Sequence, residues 1–169
     1  HLCVPQRDYL ILKFLGYILL HSEVSLLQSE IRGNRGFAYA VYGGLFGEHP
    51  LGYYFMVCVE TLAARVDEVR EIIDKCVHNS FNNQKKIFEE VQENLIDWCS
   101  IGWESPAEWA GLILNMVARV FSPKSVEKYF PYAAKVISAI TLDEVEIVRS
   151  MMLKPERFST VVIKPCGKS

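Results

Sequence analysis

Four side chains in one glycine-punctuated segment have the chemistry to bind and polarise a peptide carbonyl. They are Arg32, Arg35, Tyr39 and Tyr42, within IRGNRGFAYAVYGG at residues 31–44. An arginine is permanently charged and carries several planar N–H donors, whereas a tyrosine hydroxyl donates without carrying charge. The two types together suit holding a backbone carbonyl and donating to an oxygen on which negative charge develops. A structural interpretation competes, with an arginine near the carbonyls of a helix end and a strand aromatic packed in the core. On the residues alone we favour that structural interpretation.

Other kinds of catalytic site have weaker support in the sequence. The four histidines stand in no metal-ligand spacing. His21-Ser-Glu23 resembles the H-x-E of zinc deaminases, but the required P-C-x-x-C is absent, so we expect an exposed His21 without a metal. No G-x-S-x-G elbow or local Cys–His signature is present. The glycines of YGGLFGEHPLG do not form a phosphate loop and lead into a strand, so they indicate a hairpin.

Composition limits the partners and the compartment. The 169 residues suit one domain, and 18 basic against 20 acidic side chains give a net charge of −2, so no basic field exists to bind nucleic acid. The most apolar run, residues 10–20, contains Lys13 and is shorter than the roughly 20 residues that cross a bilayer, so we expect a soluble protein without a membrane partner. Five cysteines at wide spacings indicate buried thiols in a reducing compartment, cytoplasmic or mitochondrial.

The first half of the chain predicts two helices and a hairpin. Apolar spacing predicts a buried helix over residues 7–21, and the capping-box form of Ser25-Leu-Leu-Gln28 predicts a short helix ending at Gly33. Segments 37–46 and 51–59 are rich in aromatic and β-branched residues and predict an antiparallel pair. The second segment is apolar at odd and even positions alike, which predicts a strand covered on both faces.

The second half predicts helices and a closing strand. Apolar stripes beginning at Val66 and Ile87 predict two helices with a break near Asn79-Ser80. Helix starts are predicted at Ser105-Pro106, at Ser122-Pro123 for a short helix, and at the capping box Thr141-Leu-Asp-Glu144. We expect Trp98 and Trp109 to pack with aromatics of neighbouring helices, and residues 159–163 to form a final strand. This order predicts one α+β domain over residues 1–169, with helices packed on a small, mostly antiparallel sheet.

The segment LLQSEIRGNRGFAYAVY resembles one in the pitrilysin, or insulinase-type, zinc metallopeptidases. In that family a helix ending in an arginine runs through a glycine-containing turn into a strand carrying a tyrosine, and here these residues are Arg32 and Tyr39. Three further stretches resemble the family's first long helix, the helix after its hairpin, and its closing helix, loop and strand: DYLILKFLGYILLH, AARVDEVREIIDKCV and ISAITLDEVEIVRSMMLKPERFSTVVIKP. The resemblance therefore spans nearly all of the chain.

The resemblance implies a function shared between domains. Family members are built from homologous α/β domains, of which one half carries the zinc motif H-x-x-E-H with a distant glutamate. This sequence lacks that motif, so it resembles the non-catalytic C-terminal-type domain, and zinc would belong to a homologous partner domain or subunit. Carried over, Arg32 would bind a backbone carbonyl of the peptide substrate, and Tyr39 would be catalytic by stabilising the oxyanion. The seven-residue step to Tyr39 favours Arg32 over Arg35.

The same resemblance implies that the chain is incomplete and inactive by itself. It implies a fragment of a longer protein that lacks its first strands and holds no cofactor of its own. Two alternatives remain open. One is an inactive structural or processing-subunit homologue that acts as a scaffold in a mitochondrial complex. The other is a peptide-binding module that catalyses no reaction and adds a peptide to a strand edge.

Overall fold

The computed structural model describes residues 7–21, 25–48, 52–81, 83–101, 110, 114 and 123–163. Its longer elements, in chain order, are α1 (Arg7–Leu20), a π-helical turn (Gln28–Gly33), β1 (Ala38–Glu48), β2 (Gly52–Thr61), α2 (Val66–His78), α3 (Lys85–Ile101), α4 (Pro123–Ser138) and α5 (Leu142–Met152). Single 3₁₀ turns lie at Ala63–Arg65 and Pro155–Arg157. The arrangement is the α+β class that the sequence predicts, with helices packed on a small antiparallel sheet.

Helix α1 is the centre of the core. Its side chains Phe14, Leu15 and Ile18 are fully buried, and the helix contacts β1 on one side and α3, α4 and α5 on others. A helix that is apolar around most of its circumference is stable only when protein covers it on several sides. The predicted buried helix at residues 7–21 is thus confirmed.

The two strands form the predicted antiparallel hairpin and cover α1. Val41 lies opposite Val59, and Leu45 lies opposite Phe55. A Cβ added at Gly16 of α1 would lie 3.1 Å from the Phe55 ring, which is tighter than ordinary contact. Glycine therefore permits the close approach of helix and sheet at this position.

The other face of the hairpin is open, so the prediction of a β2 covered on both faces is wrong for the described chain. Tyr42 and Phe46 of β1, with Tyr54 and Met56 of β2, are exposed there. The burial of β2 alternates over its first half, as in an antiparallel strand with one solvated face. Aromatic residues on that solvated face gave the strand its uniformly apolar sequence.

Helices α3 and α4 pack through aromatic side chains, as expected for Trp98. Its ring makes an edge contact with Phe130 at 6.0 Å between centroids, and the Lys13 ammonium lies 4.3 Å from the Trp98 ring. The predicted break at Asn79-Ser80 separates α2 from α3. Trp109 and the predicted helix start at Ser105-Pro106 lie outside the described residues. No described helix is long and apolar enough to span a bilayer.

The start of α5 is joined to the start of α1. Thr141 and Glu144 form the predicted capping box, in which each side chain bonds the other residue's backbone N–H. The same Glu144 carboxylate accepts from the Arg7 guanidinium at 2.7 Å, and Arg7 also donates to the Ala139 carbonyl at 2.9 Å. Residues far apart in the chain are therefore tied by one charged group.

Two predictions for the C-terminal third need correction. The helix starting at Pro123 is 16 residues long rather than short. Residues 159–163 form no strand, and Val161 and Ile163 are among the most exposed apolar side chains described. A β-branched run becomes a strand only when it pairs with another strand. No described strand lies beside it.

Arg149 of α5 holds the end of α2. Its side chain is buried, makes a 2.6 Å ion pair with Glu146, and donates to the carbonyls of Val77 and His78 at 3.1 and 2.9 Å. Glu146 in turn accepts from the backbone N–H of Phe81 at 3.0 Å. The last carbonyls of α2 and the chain that follows are thus satisfied by charged side chains of α5.

Replacing Arg149 should destabilise the fold strongly. Arg149→Gln leaves the α2 carbonyls without their charged donor and Glu146 without its partner, which should cost about 2–4 kcal/mol of unfolding free energy. Urea unfolding measures the change. Arg70→Gln, on the exposed face of α2, is the control and should stay within about 0.5 kcal/mol of the parent protein. An equally small change for Arg149→Gln would contradict the assigned role.

The Glu146 interaction should also make stability depend on acid. Hydrogen bonds from Arg149 and from the Phe81 amide lower the pKa of Glu146, against the opposing effect of burial. A carboxyl whose pKa is lower folded than unfolded stabilises the protein above its unfolded pKa, about 4.3, and this contribution is lost as pH falls through the folded pKa. Glu146→Gln should therefore be less stable than the parent at pH 7, with a gap that narrows below about pH 4.3. Unfolding free energies of the parent and of Glu146→Gln, measured from pH 3 to 7, would test this, with Glu93→Gln at an exposed position as the control. A stability difference between Glu146→Gln and the parent that stays constant over this pH range would refute it.

Candidate functional site

The candidate site begins at the π-helical turn that leads into β1. Three backbone N–H groups close this turn: those of Asn34, Gly36 and Phe37 donate to the carbonyls of Ser29, Arg32 and Ile31 at 2.7, 3.1 and 2.9 Å. Gly36 has a φ of 61°, the left-handed conformation that favours glycine, although a Cβ would meet no atom within 4 Å. The backbone conformation, rather than crowding, therefore requires glycine here.

The side chains of Gln28 and Thr61 attach this turn to the hairpin. The Gln28 amide donates to the Val41 carbonyl at 2.6 Å, and the Thr61 hydroxyl donates to the Phe37 carbonyl. Because both ends of the segment between Gln28 and Val41 are anchored, the residues between them have a defined position relative to the sheet.

The structure separates the two arginines of this segment. The Arg35 guanidinium lies 3.7 Å from the Glu30 carboxylate and 6.0 Å from the Phe37 ring. Arg32 is exposed, and within the described ranges its side chain has no hydrogen-bond, ion-pair or ring partner. Arg35 is thus engaged locally, whereas the guanidinium of Arg32 is unpaired within the described residues.

Tyr39 is the unpaired residue of a β-bulge. Ala38 lies opposite Thr61 and Ala40 lies opposite Glu60, so two steps on β1 match one on β2 and Tyr39 faces no partner residue. Its side chain is 87% exposed, and its hydroxyl has no hydrogen bond to any described residue. A buried strand aromatic, the structural interpretation, therefore does not describe Tyr39.

The open face of the hairpin extends this exposed chemistry. Tyr42, Phe46, Tyr54 and Met56 form a surface that we call the outer aromatic face, in which the Phe46 and Tyr54 rings stack at 5.8 Å. Such a contiguous apolar surface is typical of a site that contacts another molecule. The sequence analysis missed it, although aromatic residues at alternate strand positions were the available signal.

Histidine and cysteine are the other residue types in the chain that could carry out chemistry. The side chain of His21 is exposed as expected, and its ring lies 3.8 Å from that of Tyr17 between centroids, in a tilted arrangement. Partial desolvation of the imidazole, and secondly the charge of Lys13, lower the pKa of His21. The described cysteines, Cys58, Cys76 and Cys99, are free thiols, of which only Cys99 is fully buried. Within the described ranges no three His, Cys, Asp or Glu side chains are close enough to hold a metal ion.

Several solved structures share this fold, among them the following three. A peptidase M16 inactive domain from Pseudomonas fluorescens has a TM-score of 0.65 at 20% identity, covering 88% of this chain and 35% of that one. A putative zinc protease from Bordetella pertussis has 0.66 at 14%, covering 92% and 85%. A protease from Helicobacter pylori has 0.67 at 14%, covering 90% and 36%. The chain thus spans only about a third of the Pseudomonas and Helicobacter chains, and at these identities the likeness establishes the fold alone.

Sequence comparison identifies the family. A search of curated proteins found no match. Residues 2–95 match the family profile described as the peptidase M16 inactive domain. This match covers more than half of the chain and includes Arg32, Tyr39 and both strands of the hairpin. The protein therefore belongs to the peptidase M16 inactive-domain family, as its resemblance to the pitrilysin-type metallopeptidases implies.

Proposed function

We propose that this domain forms the substrate-facing wall of a zinc metalloendopeptidase, in which Arg32 binds the peptide backbone and Tyr39 donates to the reacting carbonyl. The observation that carries the proposal is the pair of exposed donors, Arg32 and Tyr39, that have no partner among the described residues and lie within the segment anchored by Gln28 and Thr61. The fold that this chain shares with the putative zinc protease from Bordetella and the protease from Helicobacter supports it.

The proposed roles follow from the chemistry of the two side chains. A guanidinium presents parallel N–H donors to a backbone carbonyl and so can fix the position of an extended peptide. A neutral phenol can donate to a carbonyl oxygen as negative charge develops on it, which stabilises the transition state more than the bound substrate. Tyr39 lies in a bulge, a feature that redirects a side chain from the regular alternation of a strand.

The zinc would be held by a homologous partner domain and would activate the attacking water there. The described residues of this chain offer no set of ligands for it. This domain would contribute binding and a hydrogen-bond donor, and the outer aromatic face would give apolar contact to peptide side chains. The domain by itself should therefore not cleave peptides, and a cytoplasmic or mitochondrial setting is part of the proposal.

Tyr39→Phe in the intact peptidase should lower kcat about 10²–10³-fold with little change in peptide affinity, because the lost donor acts mainly in the transition state. Steady-state kinetics on a C-terminally amidated peptide would measure this. Tyr132→Phe, at an exposed tyrosine of α4 outside the outer aromatic face, is the matched control and should retain kcat. Both variants should keep the parent's unfolding free energy within about 0.5 kcal/mol. Equal activity of Tyr39→Phe and the parent would overturn the assigned role.

Arg32→Gln should mainly weaken peptide binding, with kcat/KM falling about tenfold or more, because a charged hydrogen bond to the backbone is lost. Arg32→Lys should recover only part of the loss, since an ammonium cannot reproduce the planar donors. Arg70→Gln on α2 is the control of equal charge change. If the intact assembly has neither peptidase turnover nor bound zinc, the proposal fails and the scaffold alternative is favoured.

A further inference from the structure

A cleft of about 230 Å³ opens on the side of the domain where the π-helical turn meets α2 and the segment before α3. Its apolar floor contains Leu26, Ile72 and Phe81, all of them buried. Its lining also includes the charged side chains of Glu30, Arg35 and Lys75. A concave site with an apolar floor and a few convergent polar groups is the usual form of a small-ligand site.

The cations of the cleft are only weakly engaged. Arg35 is 3.7 Å from Glu30 and Lys75 is 3.6 Å from Glu71, and all four side chains are substantially exposed. Exposed pairs at such distances contribute little, so a ligand can replace them at low cost. A guanidinium also has five N–H donors, more than one carboxylate satisfies, and it can bridge Glu30 and a second anion.

The thiol of Cys76 also lines the cleft. Burial raises the pKa of Cys76 to about 11, with Glu30 adding to the rise and Arg35 opposing it, so both charges lie close to the thiol. At neutral pH the Cys76 thiol is therefore protonated and uncharged, and it reacts slowly through a small thiolate fraction. Because Cys76 lines the cleft, its rate of alkylation reports whether a ligand is bound there.

We propose that this cleft binds a carboxylate-terminated apolar group, with the carboxylate on Arg35 and Lys75 and the apolar part against Leu26, Ile72 and Phe81. The volume is below the roughly 300–1,000 Å³ of sites that enclose a drug-sized ligand, so the cleft suits one terminal residue rather than an extended chain. The shared chemistry has two sources, a free small carboxylic acid or the C-terminal residue of a peptide. Neither Arg32 nor Tyr39 lines the cleft, so the inference does not depend on the peptidase proposal.

Calorimetric titration of the intact protein with N-acetyl-leucine and with N-acetyl-leucinamide would test the inference. The acid should bind, and the amide should bind about tenfold or more weakly, because it lacks the charge that the two cations recognise. A tetrapeptide acid ending in leucine distinguishes the sources, since tighter binding than N-acetyl-leucine assigns the site to peptide termini and equal binding assigns it to small acids. Equal affinity for acid and amide, or no binding of either, overturns the inference.

Variants and a labelling measurement separate this site from the catalytic proposal. Arg35→Gln and Lys75→Gln should each weaken acid binding severalfold, whereas Lys86→Gln, an exposed lysine of α3 outside the cleft lining, should not. N-acetyl-leucine should slow alkylation of Cys76 and leave the rate at Cys58, on the hairpin, unchanged. Equal rates at Cys76 with and without the acid would count against the site. Loss of turnover in Tyr39→Phe with acid binding intact would show that the two proposals stand separately.

Discussion

The structure depends on the burial of α1. Phe14, Leu15 and Ile18 have no exposed surface, and the helix is covered by the hairpin on one side and by α3, α4 and α5 on others. Burying such side chains contributes roughly 1.5–3 kcal/mol each, so α1 supplies a large part of the apolar burial in the described core. The close approach at Gly16 holds the inner face of the sheet against this helix, and the Arg7–Glu144 contact joins the start of α1 to the start of α5. The hairpin therefore has one face that packs against α1 and one face that α1 does not cover.

The division of the hairpin into a packed face and an uncovered face determines where the candidate site lies. The inner residues Val41 and Val59 set the register of the strands, because a slip of one residue would turn the apolar inner set outward. With the register fixed, the outer aromatic face points away from α1 and is exposed among the described residues, and the bulge at Tyr39 falls at the start of β1. Gln28 and Thr61 then join the turn to the strands. The positions of Arg32 and Tyr39 thus follow from packing on the opposite side of the sheet.

Sequence reasoning recovered the elements whose signals are local and missed those that depend on distant pairing. The helix over Arg7–Leu20, the hairpin and the Thr141 capping box follow from periodicity and capping chemistry within a few residues. The closing strand at 159–163 was predicted from β-branched residues, but a strand also needs a neighbour that local sequence cannot supply. Regular alternation would place Tyr39 on the same face as Val41, and only the pairing with Thr61 and Glu60 shows the bulge that separates them. The cleft at Arg35 draws on two separate stretches of the chain, residues 26–35 and 72–84, and has no signature in either of them.

The exposure of Arg32 and Tyr39 has a consequence for how they would act. In water a hydrogen bond to either group replaces one to solvent, so its net contribution is small. The same donors become much stronger once a second surface excludes water, because the effective dielectric falls. In the proposed peptidase, the partner domain would therefore do more than hold zinc: by closing over the peptide it would give Arg32 and Tyr39 the environment in which their donors matter. Until that closure, Arg32 and Tyr39 would stay solvated and would need no partner within this domain. Their exposure in the structure agrees with this.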